Sequence, residues 1–316
     1  KTLFPYTTLF RSFIVLNNRG VKLRNADILK ADNLSNVPEN LQDGYAKQWE
    51  DIESYFGEDF DKFLSHLQSV LVKEKARLSL LDEFEKNIFL AERLNKGDDF
   101  FNFINRYKEN YEYLFDTTQD KQLKSLLILM QVGFESDIWI APLLKYYDKF
   151  KDEGLYDFIE KLNNKFASDW ISGLTPTDRI KNTNAIISKI DEVQSLENLL
   201  NNTVLDIDVD ELNVFFAGNV YGKRATRYVL LRLNYLYSDV DTILSFPDTI
   251  SIEHILPQNP KEGSQWRNDF SEDERKEWTN KLGNLIILSR RKNSSQSNLD
   301  YQQKKTKYFK GNVGLG

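Results

Sequence analysis

The stretch "SIEHILPQNP", residues 251–260, decides how the chain is read. It carries one of only two histidines in 316 residues, beside Glu253 and between Ile252 and Ile255. A residue that precedes proline is held extended, and proline itself donates no backbone hydrogen bond. Residues 249–256 therefore read as a strand that Pro257 stops. Farther on, "KLGNLIILS", residues 281–289, reads as a second strand entered through Gly283. "RRKNSSQSNLDYQQKKTKYF", residues 290–309, reads as a loop and a helix, with Asn298 placed as its cap and Tyr301, Lys305 and Tyr308 at helical spacing. The order is strand, strand, helix, with His254 on the first strand and amides at Asn284 and Asn293 on the rest. In an ideal strand Glu253 and His254 point to opposite faces. They serve one site only where the strand twists or ends, as Pro257 allows.

A histidine, a carboxylate and an amide beside a basic surface suit phosphodiester hydrolysis. Neutral imidazole takes a proton from water near pH 7, while a hard divalent cation held by oxygen ligands neutralises phosphate charge. One carboxylate and one amide carbonyl are a sparse ligand set. Mg²⁺ accepts it, because it keeps waters and takes substrate phosphate as a further ligand. The same residue types also suit a buried histidine at a strand end with two asparagines in turns.

Composition bounds the alternatives. With 41% hydrophobic, 28% charged and 13% aromatic residues, the chain has the make-up of a soluble globular protein with length for a sizeable core. The absence of cysteine excludes disulfides, thiolate zinc sites and cysteine nucleophiles, and is compatible with a reducing, cytoplasmic setting. No apolar run approaches a membrane span. The net charge of −6 argues against a protein that coats nucleic acid over its whole surface. Basic charge is concentrated at one end: residues 281–310 hold eight Lys or Arg (281, 290, 291, 292, 304, 305, 307 and 310) against one acid, Asp300. Such a run reads either as a solvated helix face or as a DNA-facing surface made of Arg290, Arg291, Lys292, Lys304 and Lys305.

Residues 2–12, "TLFPYTTLFRS", are the translation of a common short-read sequencing adapter, so residues 1–12 are set aside from fold reasoning as an assembly artefact. A short strand over 13–16, a turn at Asn17–Gly20 and a helix from Ala26 capped by Asn25 follow. From there to about residue 240, segments such as "KQLKSLLILMQVGF" and "RATRYVLLRLNYLY" space apolar residues three and four apart, which predicts helices. Leu126, Leu127, Leu129 and Met130 read as core, and His66 as a structural or solvated residue on such a helix. The rhythm breaks at Pro176 and again at Pro247, the second being the expected domain boundary.

The string "IEHILPQ … LGNLIILS … N(x4)N … K … Y" resembles the C-terminal nuclease domain of the GmrSD restriction family, a branch of the HNH, or ββα-metal (His-Me finger), endonucleases. Upstream, Phe13, Asn17, Gly20, Leu23, Asp27 and Lys30 resemble the end of that family's ParB-like N-terminal domain. The expected fold is mainly α, a helical body with a C-terminal ββα-metal motif. It divides into a ParB-like remnant over 13–35, a helical region over 36–246 and a nuclease domain over 247–316. The resemblance implies His254 as general base, Glu253 and Asn293 as metal ligands, Asn284 as the amide bracing the histidine loop, and Lys304 and Lys305 facing the phosphate backbone. It further implies Mg²⁺ or Mn²⁺, a DNA partner including modified phage DNA, and no membrane; a homo-oligomer is compatible. A nucleotide is expected only for the absent N-terminal part, since no Asp-Gly-Gln-Gln-Arg-like motif occurs, and both ends read as truncated. The alternative from another class is a non-catalytic DNA-binding or helical interaction fragment.

Overall fold

The computed structural model describes residues 24–239, 241–246, 249–289 and 298–308. The adapter-like segment, the strand expected over 13–16, Asn17, Gly20, the boundary at Pro247, and Arg290, Arg291, Lys292 and Asn293 lie outside the described residues. The main elements in chain order are α1 (Asn25–Leu34), α2 (Glu39–Phe56), α3 (Phe60–Val72), α4 (Asp98–Glu112), α5 (Lys121–Gly133), α6 (Ile140–Phe150), α7 (Leu155–Ile171), α8 (Pro176–Glu192), α9 (Val209–Ala217) and α10 (Thr226–Tyr237). Strand β1 (Ile250–His254), α11 (Gln265–Asp269), α12 (Glu272–Trp278), β2 (Leu285–Ser289) and α13 (Tyr301–Tyr308) follow. The chain is mainly helical, as its 3.6-residue periodicity predicts. Among the described residues no helix is long and apolar enough to cross a membrane.

The described residues form two compact units that alternate along the chain: residues up to Thr117, Ile138–Glu153 and Ile180–Leu199 make one, and Thr118–Asp137, Gly154–Arg179 and those from Leu200 onward the other. The region read from sequence as one helical stretch over 36–246 is thus shared between them. Sequence periodicity shows that a segment is helical but not which other helix will cover its apolar stripe.

In the first unit, α1 begins at Asn25, one residue earlier than expected, because the Arg24 backbone N–H is taken by the Asp27 carboxylate at 3.3 Å. Helices α2, α3 and α4 meet through aromatic side chains at helical spacing. Trp49 is fully buried, with its ring 5.1 Å from Phe60 and 5.8 Å from Phe100. Packed rings of this kind contribute about 0.5–1.5 kcal/mol per pair beyond the area they bury. His66 is buried on α3, and the remnant-motif residues Asp27 and Lys30 pair with Arg24 at 3.7 Å and Glu50 at 2.9 Å.

In the second unit, Asp120 caps α5 by accepting the backbone N–H groups of Gln122 and Leu123 at 2.9 and 3.0 Å. Leu126, Leu127, Leu129 and Met130 are all buried. Helix α10 packs on both α5 and β2. The first contact depends on Gly133: a Cβ there would sit 2.8 Å from the Tyr228 ring. Tyr228 in turn stacks on Phe134 at 4.6 Å and donates its hydroxyl to Asn163 Oδ1 at 2.8 Å. The helical layer therefore fixes α10, and α10 supports the hairpin that carries His254.

Candidate active site

Strands β1 and β2 pair antiparallel in the register His254 with Leu285 and Ile250 with Ser289. Leu285, Ile287 and Leu288 on β2 are buried, which anchors the hairpin. One residue past the paired strand, Ile255 N–H donates to the Asn284 carbonyl at 2.9 Å. Then Pro257 ends the pairing, and the backbone of Leu256 needs other partners. The Asn284 side chain supplies them: its Oδ1 accepts Leu256 N–H at 2.7 Å and its Nδ2 donates to the carbonyls of Leu256 at 3.0 Å and Thr279 at 2.8 Å. A single amide thus continues the strand ladder and fixes the turn that follows the histidine.

The His254 ring is buried, only 7% exposed, between two partners. Its Nε2 lies 3.2 Å from Asn280 Oδ1, and the Tyr221 ring lies 4.2 Å away by centroid, tilted by 57°. Burial pushes the imidazole below its ordinary value of 6.5; the Asn280 acceptor and the Glu253 charge oppose that shift, and the Lys304 ammonium adds to it. The Tyr221 loop is tied to the same place. Val220 and Tyr221 donate backbone N–H groups to the Asn280 carbonyl at 2.9 and 3.3 Å, and Lys281 donates its ammonium to the Ala217 carbonyl.

Glu253 meets a different partner. Its Oε1 accepts from Lys304 Nζ at 2.8 Å, and the same ammonium donates to the His254 backbone carbonyl at 2.6 Å. The carboxylate is engaged by α13 while the histidine ring is engaged by Asn280 and Tyr221, the alternation expected of successive strand residues. Lys304 is fully buried, 0% exposed. This corrects its expected role on a DNA-facing surface: helical rotation turns Lys304 onto β1 and leaves its neighbour Lys305 exposed. A second correction concerns Asn298. Helix α13 starts at Tyr301 and Asp300 accepts its first backbone bond, from Lys304 N–H at 3.0 Å, so the cap position is Asp300. The lead-in is held instead by Trp266, whose Nε1 donates to the Leu299 carbonyl at 2.9 Å.

His254, Glu253, Asn284 and Lys304 are thus gathered around the end of β1. Residues 207–315 match the GmrSD restriction endonucleases, C-terminal domain. The GmrSD-type segment opens upstream of the hairpin and so includes the Tyr221 loop and α10. Residues 17–168 match a second model, described as a family of unknown function (DUF7834). No curated protein matches the chain.

Two residues of the GmrSD-type segment were not singled out by sequence, Asn280 and Tyr221. Asn280 stands four positions before Asn284, a helical-turn spacing that could have drawn attention to it. Tyr221 had no signal, because its approach to His254 spans thirty-three positions and is made only in three dimensions. For a cation, Glu253 offers one hard carboxylate, while among the described residues no group of three or more His, Cys, Asp or Glu forms a metal cluster.

Proposed function

We propose that the chain cleaves DNA as an HNH-type endonuclease, with His254 as the general base, and that it is part of a modification-dependent restriction enzyme directed at phage DNA. The single observation that carries the reading is the placement of His254 at a strand end whose following turn is fixed by Asn284, within a segment that matches a restriction endonuclease domain. Burial lowers the proton affinity of the histidine from its ordinary value, which favours the neutral imidazole that a general base needs. It accepts a proton from water as the water oxygen forms its bond to phosphorus. The bridging P–O bond breaks with its electron pair on the leaving oxygen, which takes a proton from solvent. Asn284 acts on the turn and not on the substrate.

The donor set fits Mg²⁺ or Mn²⁺ rather than a softer metal, since Glu253 is a hard oxygen ligand and Mg²⁺ is content with one or two carboxylates plus water and phosphate. Glu253 already receives positive charge at one oxygen, from Lys304. When bound, the cation would neutralise charge on the phosphate and on the leaving oxygen. Glu253, with Asn293 from the resemblance, would hold it. Exposed Lys305 contributes to the basic surface that positions the DNA backbone.

The test is nicking of supercoiled plasmid by the purified chain with Mg²⁺ or Mn²⁺, and with a chelator. Metal-dependent nicking that the chelator abolishes supports the reading. Salt-sensitive DNA binding with no cleavage under any metal favours the non-catalytic DNA-binding module, to which the Lys304 ammonium on Glu253 lends weight.

A further inference from the structure

Imidazole works as a base only through the nitrogen that carries no proton, and which nitrogen that is depends on what the other one touches. At His254 the neighbour of Nε2 is a side-chain carbonyl oxygen, Asn280 Oδ1, at 3.2 Å. An amide oxygen can only accept, so Nε2 must hold the proton and Nδ1 the lone pair. The ring also has a fixed plane, since the Tyr221 ring lies against it at 4.2 Å. The backbone at Asn280 is itself held. Its carbonyl accepts the backbone N–H groups of Val220 and Tyr221, so one residue organises both neighbours of the imidazole. The neighbouring turn is tied in as well, through Asn284 Nδ2 to the Thr279 carbonyl at 2.8 Å.

We propose that Asn280 is the positioning residue of the His254 base: its side-chain oxygen holds the imidazole as the Nε2–H tautomer, and Tyr221 packed on the ring sets the plane in which Nδ1 is presented. The proposal rests on the nuclease reading for its catalytic meaning, but not for its structural content. Asn280 touches neither substrate nor cation. It acts through His254, as the residue that orients a catalytic histidine does in hydrolytic triads. Removing the acceptor lets the ring rotate and exchange tautomers, so a fraction of molecules would present a protonated nitrogen to the attacking water.

The measurement is the long-range ¹H–¹⁵N imidazole spectrum of the ¹⁵N-labelled full chain, with His66→Gln used to assign the only other histidine. We expect a neutral His254 protonated at Nε2 in the native chain. Asn280→Leu should give a mixture of tautomers and a nicking rate about tenfold lower or worse, with DNA binding unchanged. Asn280→Asp keeps an acceptor oxygen and should restore both the Nε2–H tautomer and most of the rate. A native spectrum showing Nδ1–H, or an Asn280→Leu chain that keeps a pure Nε2–H tautomer, overturns the proposal. Should Asn280→Leu fail to fold, the native spectrum and the Asp variant still decide it. The spectrum is read without DNA or metal, so a native chain that does not nick plasmid sinks the nuclease reading and leaves the tautomer result standing.

Discussion

The Lys304 ammonium, wholly removed from solvent, is held 2.8 Å from the Glu253 carboxylate. An ion pair in such a place is sustained only when both partners are present, because either charge alone would be stranded away from water.

Lys304→Met is accordingly expected to destabilise the chain by about 3–5 kcal/mol in a urea melt. Pairing it with Glu253→Gln should recover part of that loss, the mark of a direct interaction in a double-mutant cycle. Lys305→Gln should leave the melt unchanged and flatten the slope of log DNA affinity against log salt by about one unit. The same salt effect for Lys304→Gln, without loss of stability, would contradict the buried position.

His254→Ala should abolish nicking while the fold persists, whereas His66→Gln should retain it, because His66 lies on α3 of the other unit. Plasmid relaxation assays on both variants check this. Activity surviving in His254→Ala would remove the histidine from the mechanism.

The pairing of Asn284 with both backbone groups of Leu256 leads to a third expectation. Asn284→Ala leaves the Leu256 N–H and carbonyl and the Thr279 carbonyl without their partner. Groups left unsatisfied in this way cost about 1–3 kcal/mol, and nicking should fall with the loosened turn. Asn284→Asp keeps the acceptor for Leu256 N–H but loses both donations, so its stability should be intermediate.

The pH dependence of stability has a definite sign at His254. Its folded-state affinity for protons is depressed below the ordinary 6.5, so the unfolded chain takes up a proton that the folded chain does not. The contribution is fully present above about pH 6.5 and is lost as pH falls from there through the lower folded value. His254→Gln should flatten the melt-against-pH curve in that window; an unchanged curve would show that other groups govern it.

Chelation separates a metal role from a purely electrostatic one. EDTA should stop nicking, and Mg²⁺ or Mn²⁺ in excess should restore it. Asn293→Ala should raise the Mg²⁺ concentration needed for half-maximal cleavage, measured by metal titration alongside a melt that stays in place.

The hairpin was legible in sequence because its limits are set locally: Pro257 ends one strand and Gly283 leads into the other, and both effects act within a residue or two. Glu253 and His254 were likewise legible as neighbours on opposite faces. Lys304 was not, since a lysine in a basic run has the same spelling whether its ammonium is solvated or sealed against a carboxylate fifty-one positions away. Asn280 and Tyr221 escaped for the same reason: their value lies in what they approach. The division of helices between two units was equally hidden, as an apolar stripe says that it must be covered and not by what.

The path of the backbone between the two units limits how this protein can be exchanged or trimmed. It passes from one to the other at 117–118, 137–138, 153–154, 179–180 and 199–200. A cassette cut out at residue 207 would keep α10 and the hairpin but leave behind Phe134, Asn163 and the rest of α5 and α7 on which α10 rests. Recombination that moved only that cassette would deliver the His254 hairpin without its floor. Heritable shuffling and laboratory fusions alike must therefore take α5 and α7 along with it.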